Sequence, residues 1–98
     1  MTGTVRTSAD LDVRRRRILF RSWHRGMREM DLLMGKFADA EISNLSEVEL
    51  ADFELLIEVI DRDLFRWLTG EAETPENYDT PVFRRLRAFH EHAGPLNV

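Results

Sequence analysis

Apolar residues in this chain return at spacings of three and four rather than alternating, and that period constrains the fold more than any other feature of the sequence. Sets such as Met30, Leu33, Met34 and Phe37, then Phe53, Leu56, Ile57 and Ile60, are what helices burying one face each require. No strand is expected. The chain has 98 residues, which suits one domain rather than two. The fold class expected is therefore all-α: a compact bundle of five helices in a single domain, with about residues 1–9 and 93–98 flexible.

Helix 1 should begin after Ser8 or Asp10 and run to about Trp23. A 100° wheel puts Leu19, Phe20 and Trp23 on its apolar side. Arg14, Arg17, Arg21 and Arg25, at i, i+3, i+7 and i+11, form an arginine edge. Gly26 is a poor residue inside a helix, costing about 1 kcal/mol relative to Ala, so the chain is expected to turn at Arg25-Gly26. Helix 2 then covers about Met27 to Glu41, with Met30, Leu33, Met34 and Phe37 inward and Glu29, Leu32 and Lys36 on a stripe roughly 130° away. Glu29 points away from the core, in a first turn where a carboxylate suits the helix dipole. Ser46 and Glu49 have the spacing of a capping box, starting a helix 3 that runs to about Val59. Asp61 is expected to cap helix 4, "RDLFRWLT", which buries Leu64, Phe65 and Leu68, uses Trp67 as core or groove lining, and stops at Gly70. "EAETPENYD" is a polar loop. Thr80 before Pro81 is a further cap signal, and helix 5 turns Val82, Leu86 and Phe89 inward before ending ahead of Gly94-Pro95.

The net charge of −4 hides a division, since residues 1–36 carry nine Arg/Lys against four acids and residues 37–98 carry five against fourteen. Such segregation knits helices together or steers a partner. The run "RRRR" invites a nucleic-acid interpretation, because rows of arginine contact phosphates. The acidic remainder and the lack of aromatics interleaved with the arginines weigh against it. Internal pairing with acids of helix 3 ranks first, protein binding second and nucleic acid third.

Catalysis fares badly on the residues present. Cysteine is absent, and His24, His90 and His92 lack metal-ligand spacing. There is no glycine-rich phosphate loop and no Ser/His/Asp grouping. Glu29 and Asp31 stand about 200° apart on a helix and cannot serve one substrate as an acid/base couple. No enzymatic activity and no metal are expected. No apolar run approaches the roughly 18 residues of a membrane span, and "MTGTVRTSADLD" has no signal-peptide apolar region, so a cytoplasmic protein without membrane insertion is expected.

"RSWHRGMREMD", the later "DRDLFRWLTG" and the terminal "GPLNV" resemble the FAD assembly factors of succinate dehydrogenase and fumarate reductase, five-helix proteins marked by an R-G-x-x-E motif. Here that motif is Arg25, Gly26 and Glu29, and the likeness extends from about Arg14 to the C-terminus. Three positions depart from the family pattern: Phe20 stands where many members have Tyr, and Trp23 and His24 replace usually basic residues. The resemblance implies an assembly factor, a chaperone-like binding module that engages the flavoprotein subunit and promotes covalent attachment of FAD. It implies Arg21, Arg25, Gly26, Met27, Glu29 and Asp31 as partner-binding residues, no catalytic residue, no stably bound cofactor because the FAD belongs to the partner, and a monomer when free. The plainer alternatives are a basic-helix nucleic-acid binder or a general protein-interaction module. By residue, the plainer reading of Gly26 is a turn residue; that of Glu29 is a dipole or Arg25-pairing group, which exposure and the family match outweigh in favour of a contact; and that of Asp31 is a solvated or internally paired acid, set evenly against a contact.

Overall fold

The computed structural model describes residues 11–93, with side chains through His90. Five α-helices and two one-turn 3-10 segments make up its regular structure: α1 Val13–Trp23, α2 Arg28–Glu41, α3 Glu47–Ile57, α4 Asp61–Thr69 and α5 Pro81–Ala93, with 3-10 turns at Ile42–Asn44 and Glu76–Tyr78. Among the described residues there is no strand. The helices fall into two compact units that divide between Leu45 and Ser46. Ser8, Asp10 and the terminal "GPLNV" lie outside the described residues.

In the first unit α1 packs on α2. Asp12 caps α1, its carboxylate accepting the Arg15 N–H at 2.8 Å. This backbone donor, and then the Arg15 guanidinium, hold the Asp12 carboxyl below the usual range. The buried side of α1 is Ile18, Leu19, Ser22 and Trp23. Ser22 is admitted because its hydroxyl donates to the Ile18 carbonyl one turn back, at 2.8 Å. Those four residues centre the inward face between Ile18 and Leu19, which places Phe20 about 130° away. Phe20 is accordingly 62% exposed, and its expected place on the apolar edge is corrected. Arg15 lies on the inward arc instead, and its guanidinium donates to the carbonyls of Ile42 (2.9 Å) and Leu45 (2.8 Å) at the end of the unit. On α2 the expected Met30, Leu33, Met34 and Phe37 are buried, joined by Gly35 and Ala38. Gly35 is the seat of Trp23: a Cβ there would stand within 2.5 Å of the indole atoms Cε2 and Cε3.

In the second unit the capping box forms as expected. The Ser46 hydroxyl accepts from the Glu49 N–H (3.2 Å) while the Glu49 carboxylate accepts from the Ser46 N–H (2.9 Å). Glu49 also pairs with Arg85 of α5 at 2.9 Å, which ties α3 to α5. The Ser46 N–H first, and Arg85 with it, lower the Glu49 pKa. Leu50, Phe53, Leu56, Leu64, Val82, Phe83 and Leu86 are fully buried. Each such Leu or Phe contributes roughly 1.5–3 kcal/mol of burial. Three expectations need correction. α3 stops at Ile57 rather than Val59, and Ile60 is 55% exposed because it serves as the N-cap residue of α4. Asp61 is consequently the first helical residue rather than the cap, where its charge suits the dipole. Phe65, Leu68 and Phe89 are half-buried, whereas Phe83, which the apolar spacing passed over, is buried. α4 ends at Gly70, left-handed at φ 82°, with its N–H on the Trp67 carbonyl. Trp67 is half-buried and its ring meets Tyr78 at 5.2 Å. Thr80 starts α5, its hydroxyl accepting from the Phe83 N–H at 3.3 Å.

Candidate functional site

The turn between α1 and α2 concentrates the residues that the sequence singled out. α1 closes at His24, and Arg25 therefore lies in the turn rather than extending the arginine edge of the helix, which stops at Arg21. Gly26 has φ +105°, a conformation that L side chains rarely adopt, and an added Cβ would meet nothing within 4 Å. The glycine is thus required by backbone conformation and stands open to its surroundings. Met27, in extended conformation, starts α2 without a side-chain cap, since a thioether has no strong acceptor to offer.

Asp31 supplies the closure that spacing alone did not reveal. Its N–H makes a helical bond to the Met27 carbonyl at 2.9 Å. Its carboxylate reaches back over the start of α2 and accepts the Arg25 N–H at 2.5 Å in a partly buried position. One carboxylate therefore ties the residue before Gly26 to the helix after it. This makes Asp31 an internally bonded residue of the turn.

Glu29, two residues earlier on α2, is exposed, and its carboxylate has no ion-pair or hydrogen-bond partner among the described residues. Arg28 beside it is exposed as well. Arg21 is exposed on the last turn of α1, Arg25 and Met27 are half-buried, and Arg21 and Arg25 both take part in further interactions within the chain. The six expected site residues are thus brought to one turn and its two flanking helix ends, with Glu29 exposed on the first turn of α2.

No group of three or more His, Cys, Asp or Glu residues that could hold a metal occurs among the described residues. A groove of about 600 Å³ in the second unit, lined by Gly70, Thr74, Asp79, Arg84 and Arg87 among others, includes none of the six. Its central charges neutralise each other: the Arg84 guanidinium donates to Asp79 at 2.9 and 3.2 Å and holds that carboxyl below its usual range. No helix among the described residues is long and apolar enough to cross a membrane.

The profile of a protein family described as "Flavinator of succinate dehydrogenase" matches residues 16–90. A protein of Dictyostelium discoideum named succinate dehydrogenase assembly factor 2, mitochondrial, is 40% identical over 79 residues, covering 81% of this chain and 56% of the relative. The FAD assembly factor SdhE of Acetobacter pasteurianus is 42% identical over 77 residues, covering 79% of this chain and 71% of the relative. A succinate dehydrogenase assembly factor 2-B of Drosophila ananassae is 38% identical over 91 residues and is covered to 56% of its length. The chain thus spans little more than half the length of these eukaryotic relatives.

Proposed function

This chain belongs to the family of flavinators of succinate dehydrogenase, and from that membership we propose that it binds the flavoprotein subunit of succinate dehydrogenase, or of fumarate reductase, and promotes covalent attachment of FAD to it. The observation that carries the proposal is the R-G-x-x-E turn: an open Gly26 at positive φ, a carboxylate clasp from Asp31, and an exposed Glu29 with no partner among the described residues.

The chemistry belongs to the partner. Covalent attachment requires a nucleophilic side chain, the flavin and the groups that stabilise developing negative charge to be aligned at once. A binding module supplies this by holding one arrangement of the subunit more tightly than others, which shifts a population without donating a catalytic group. Gly26 lets the partner's backbone come close, since no side chain stands above it. Arg21, Arg25, Met27 and Glu29 are then the contacts around that approach, with Asp31 fixing the shape of the turn. The protein itself holds no flavin and works as a cytoplasmic monomer.

Co-expression of the chain with the flavoprotein subunit, followed by denaturing gels and in-gel flavin fluorescence, tests the proposal. Glu29→Ala should melt within about 1 kcal/mol of the parent, because only a first-turn dipole interaction is lost, yet give clearly less covalent flavin. Equal flavin yield with and without the chain would refute the function. A micromolar, salt-sensitive affinity for oligonucleotides would favour the nucleic-acid alternative instead.

A further inference from the structure

The outward face of α1 carries an aromatic pair that the R-G-x-x-E turn does not use. Phe20, 62% exposed, stacks on His24 with ring centroids 3.9 Å apart and planes 19° from parallel. His24 Nδ1 lies 2.6 Å from the Phe20 carbonyl oxygen, and since a carbonyl can only accept, Nδ1 carries the proton and donates. The stack and the hydrogen bond fix both rings. Val13 (58% exposed) and Arg17 lie on the same arc of the helix, within about 60° of Phe20, and Arg16 lies at its near edge. Arg17 has no ion-pair partner among the described residues.

Single exposed apolar residues are ordinary. Val48 and Leu55 on α3 are examples, with neither a stacked neighbour nor a row of arginines beside them. Phe20 differs in three respects. Its ring is already immobilised, so little side-chain entropy remains to be lost on docking. Arg16 and Arg17 stand one turn before it, and aromatic and arginine side chains together are what anchors in protein interfaces are made of. Finally, His24 leads directly into Arg25 and Gly26, which makes the face continuous along the chain with the turn.

We infer that the Phe20–His24 stack is a second anchor for the flavoprotein subunit, fitting an apolar notch rimmed by carboxylates on that partner. This inference rests on the proposed function and extends it to a surface outside the motif. The ring fills the notch while Arg17 meets its acidic rim. Glu29, at the other end of the turn, faces a separate contact, so the two ends of the turn together set the orientation in which the partner is held.

Calorimetric titration of the purified flavoprotein subunit of succinate dehydrogenase with the chain, alongside thermal melts, provides the test. Phe20→Ala should melt like the parent and bind about 30-fold more weakly, as loss of an interface anchor does. Phe20→Tyr, which keeps the stack, should stay within about threefold of the parent, while His24→Ala, which frees the ring, should lose about threefold to tenfold. Arg17→Glu should slow association and flatten its dependence on salt. Parent-like binding by Phe20→Ala, with binding lost in Glu29→Ala, would overturn the second anchor and leave the proposed function standing. A parent that fails to bind the subunit would remove both. An early-melting Phe20→Ala beside a His24→Ala that binds normally would make the stack structural, and a parent dimer in sedimentation that Phe20→Ala dissociates would assign the face to a second copy. Either result overturns the inference.

Discussion

Gly26 and Gly35 belong to the same unit and are needed for opposite reasons. At Gly26 the backbone is unusual and the space above it is free; at Gly35 the backbone is ordinary helix and the space is filled by an indole. One glycine therefore serves a surface and the other a seam between helices. The same residue type, nine positions apart, marks the candidate site in one case and the core in the other, and only the local geometry separates them.

Gly35→Ala is the largest way to test that contrast. The new methyl would collide with ring atoms of Trp23, a residue only 7% exposed and without a flexible end to move aside. Overpacking of this kind costs about 1–3 kcal/mol, and the rigid ring puts it at the upper end. A thermal melt should show it. Trp23→Leu should be less damaging in the Gly35→Ala background than in the parent, a coupling that a double-mutant cycle reads directly. Additive effects would mean that the two residues do not share the seam.

A smaller effect separates conformation from contact. Gly26→Ala and Gly70→Ala both place a side chain at positive φ with nothing within 4 Å of the new methyl. Each should cost about 1–2 kcal/mol from backbone strain. Only Gly26→Ala should also weaken binding to the flavoprotein subunit, because Gly70 caps α4 in the other unit. Equal loss of binding in both variants would trace it to stability rather than to the turn.

The helical period made most of the fold legible. It located all five helices, while cap and stop signals gave the Ser46–Glu49 capping box and the end of α4 at Gly70. It misjudged Phe20 because the wheel was centred on large apolar residues, leaving out Ile18 and the polar Ser22; a serine that returns its hydroxyl to its own helix can be buried without cost to hydrogen bonding. Ile60 fits the period of α3 on paper, but the chain leaves helical geometry before reaching it, which no spacing rule detects. Within the site, the turn at Gly26 and the outward Glu29 were legible from propensity and phase. The Asp31 clasp was not, because its carboxylate spans six residues to a backbone N–H, a relation with no sequence signature. A glycine inside the apolar run of α2 was the available sign that a large ring packs there.

The smallest expected effect concerns a carboxylate that holds the scaffold rather than the site. Glu49 accepts the Ser46 N–H and pairs with a half-exposed Arg85, and both lower its pKa. A carboxyl with a depressed pKa holds its proton more weakly folded than unfolded, so its contribution is complete above the ordinary glutamate range and is lost as pH falls through that range toward the folded value. Glu49→Gln keeps an acceptor for Ser46 but loses the charge facing Arg85. At neutral pH it should be less stable than the parent by about 0.5–1 kcal/mol, the worth of a partly screened pair. Urea titrations repeated from about pH 6 to about pH 3 should show that gap closing, since the parent carboxylate is then protonated as well. Asp12 and Asp79, also depressed, lend the parent a slope of the same sign. They are present in both proteins, so the difference between the two curves isolates Glu49. Binding to the flavoprotein subunit at neutral pH should not change, because Glu49 lies in the unit that does not carry the R-G-x-x-E turn. A gap that persists at low pH would show that Gln fails as a capping partner and that the charge contributes little. Lost binding in a stable Glu49→Gln would break the division between a scaffold carboxylate and the exposed Glu29.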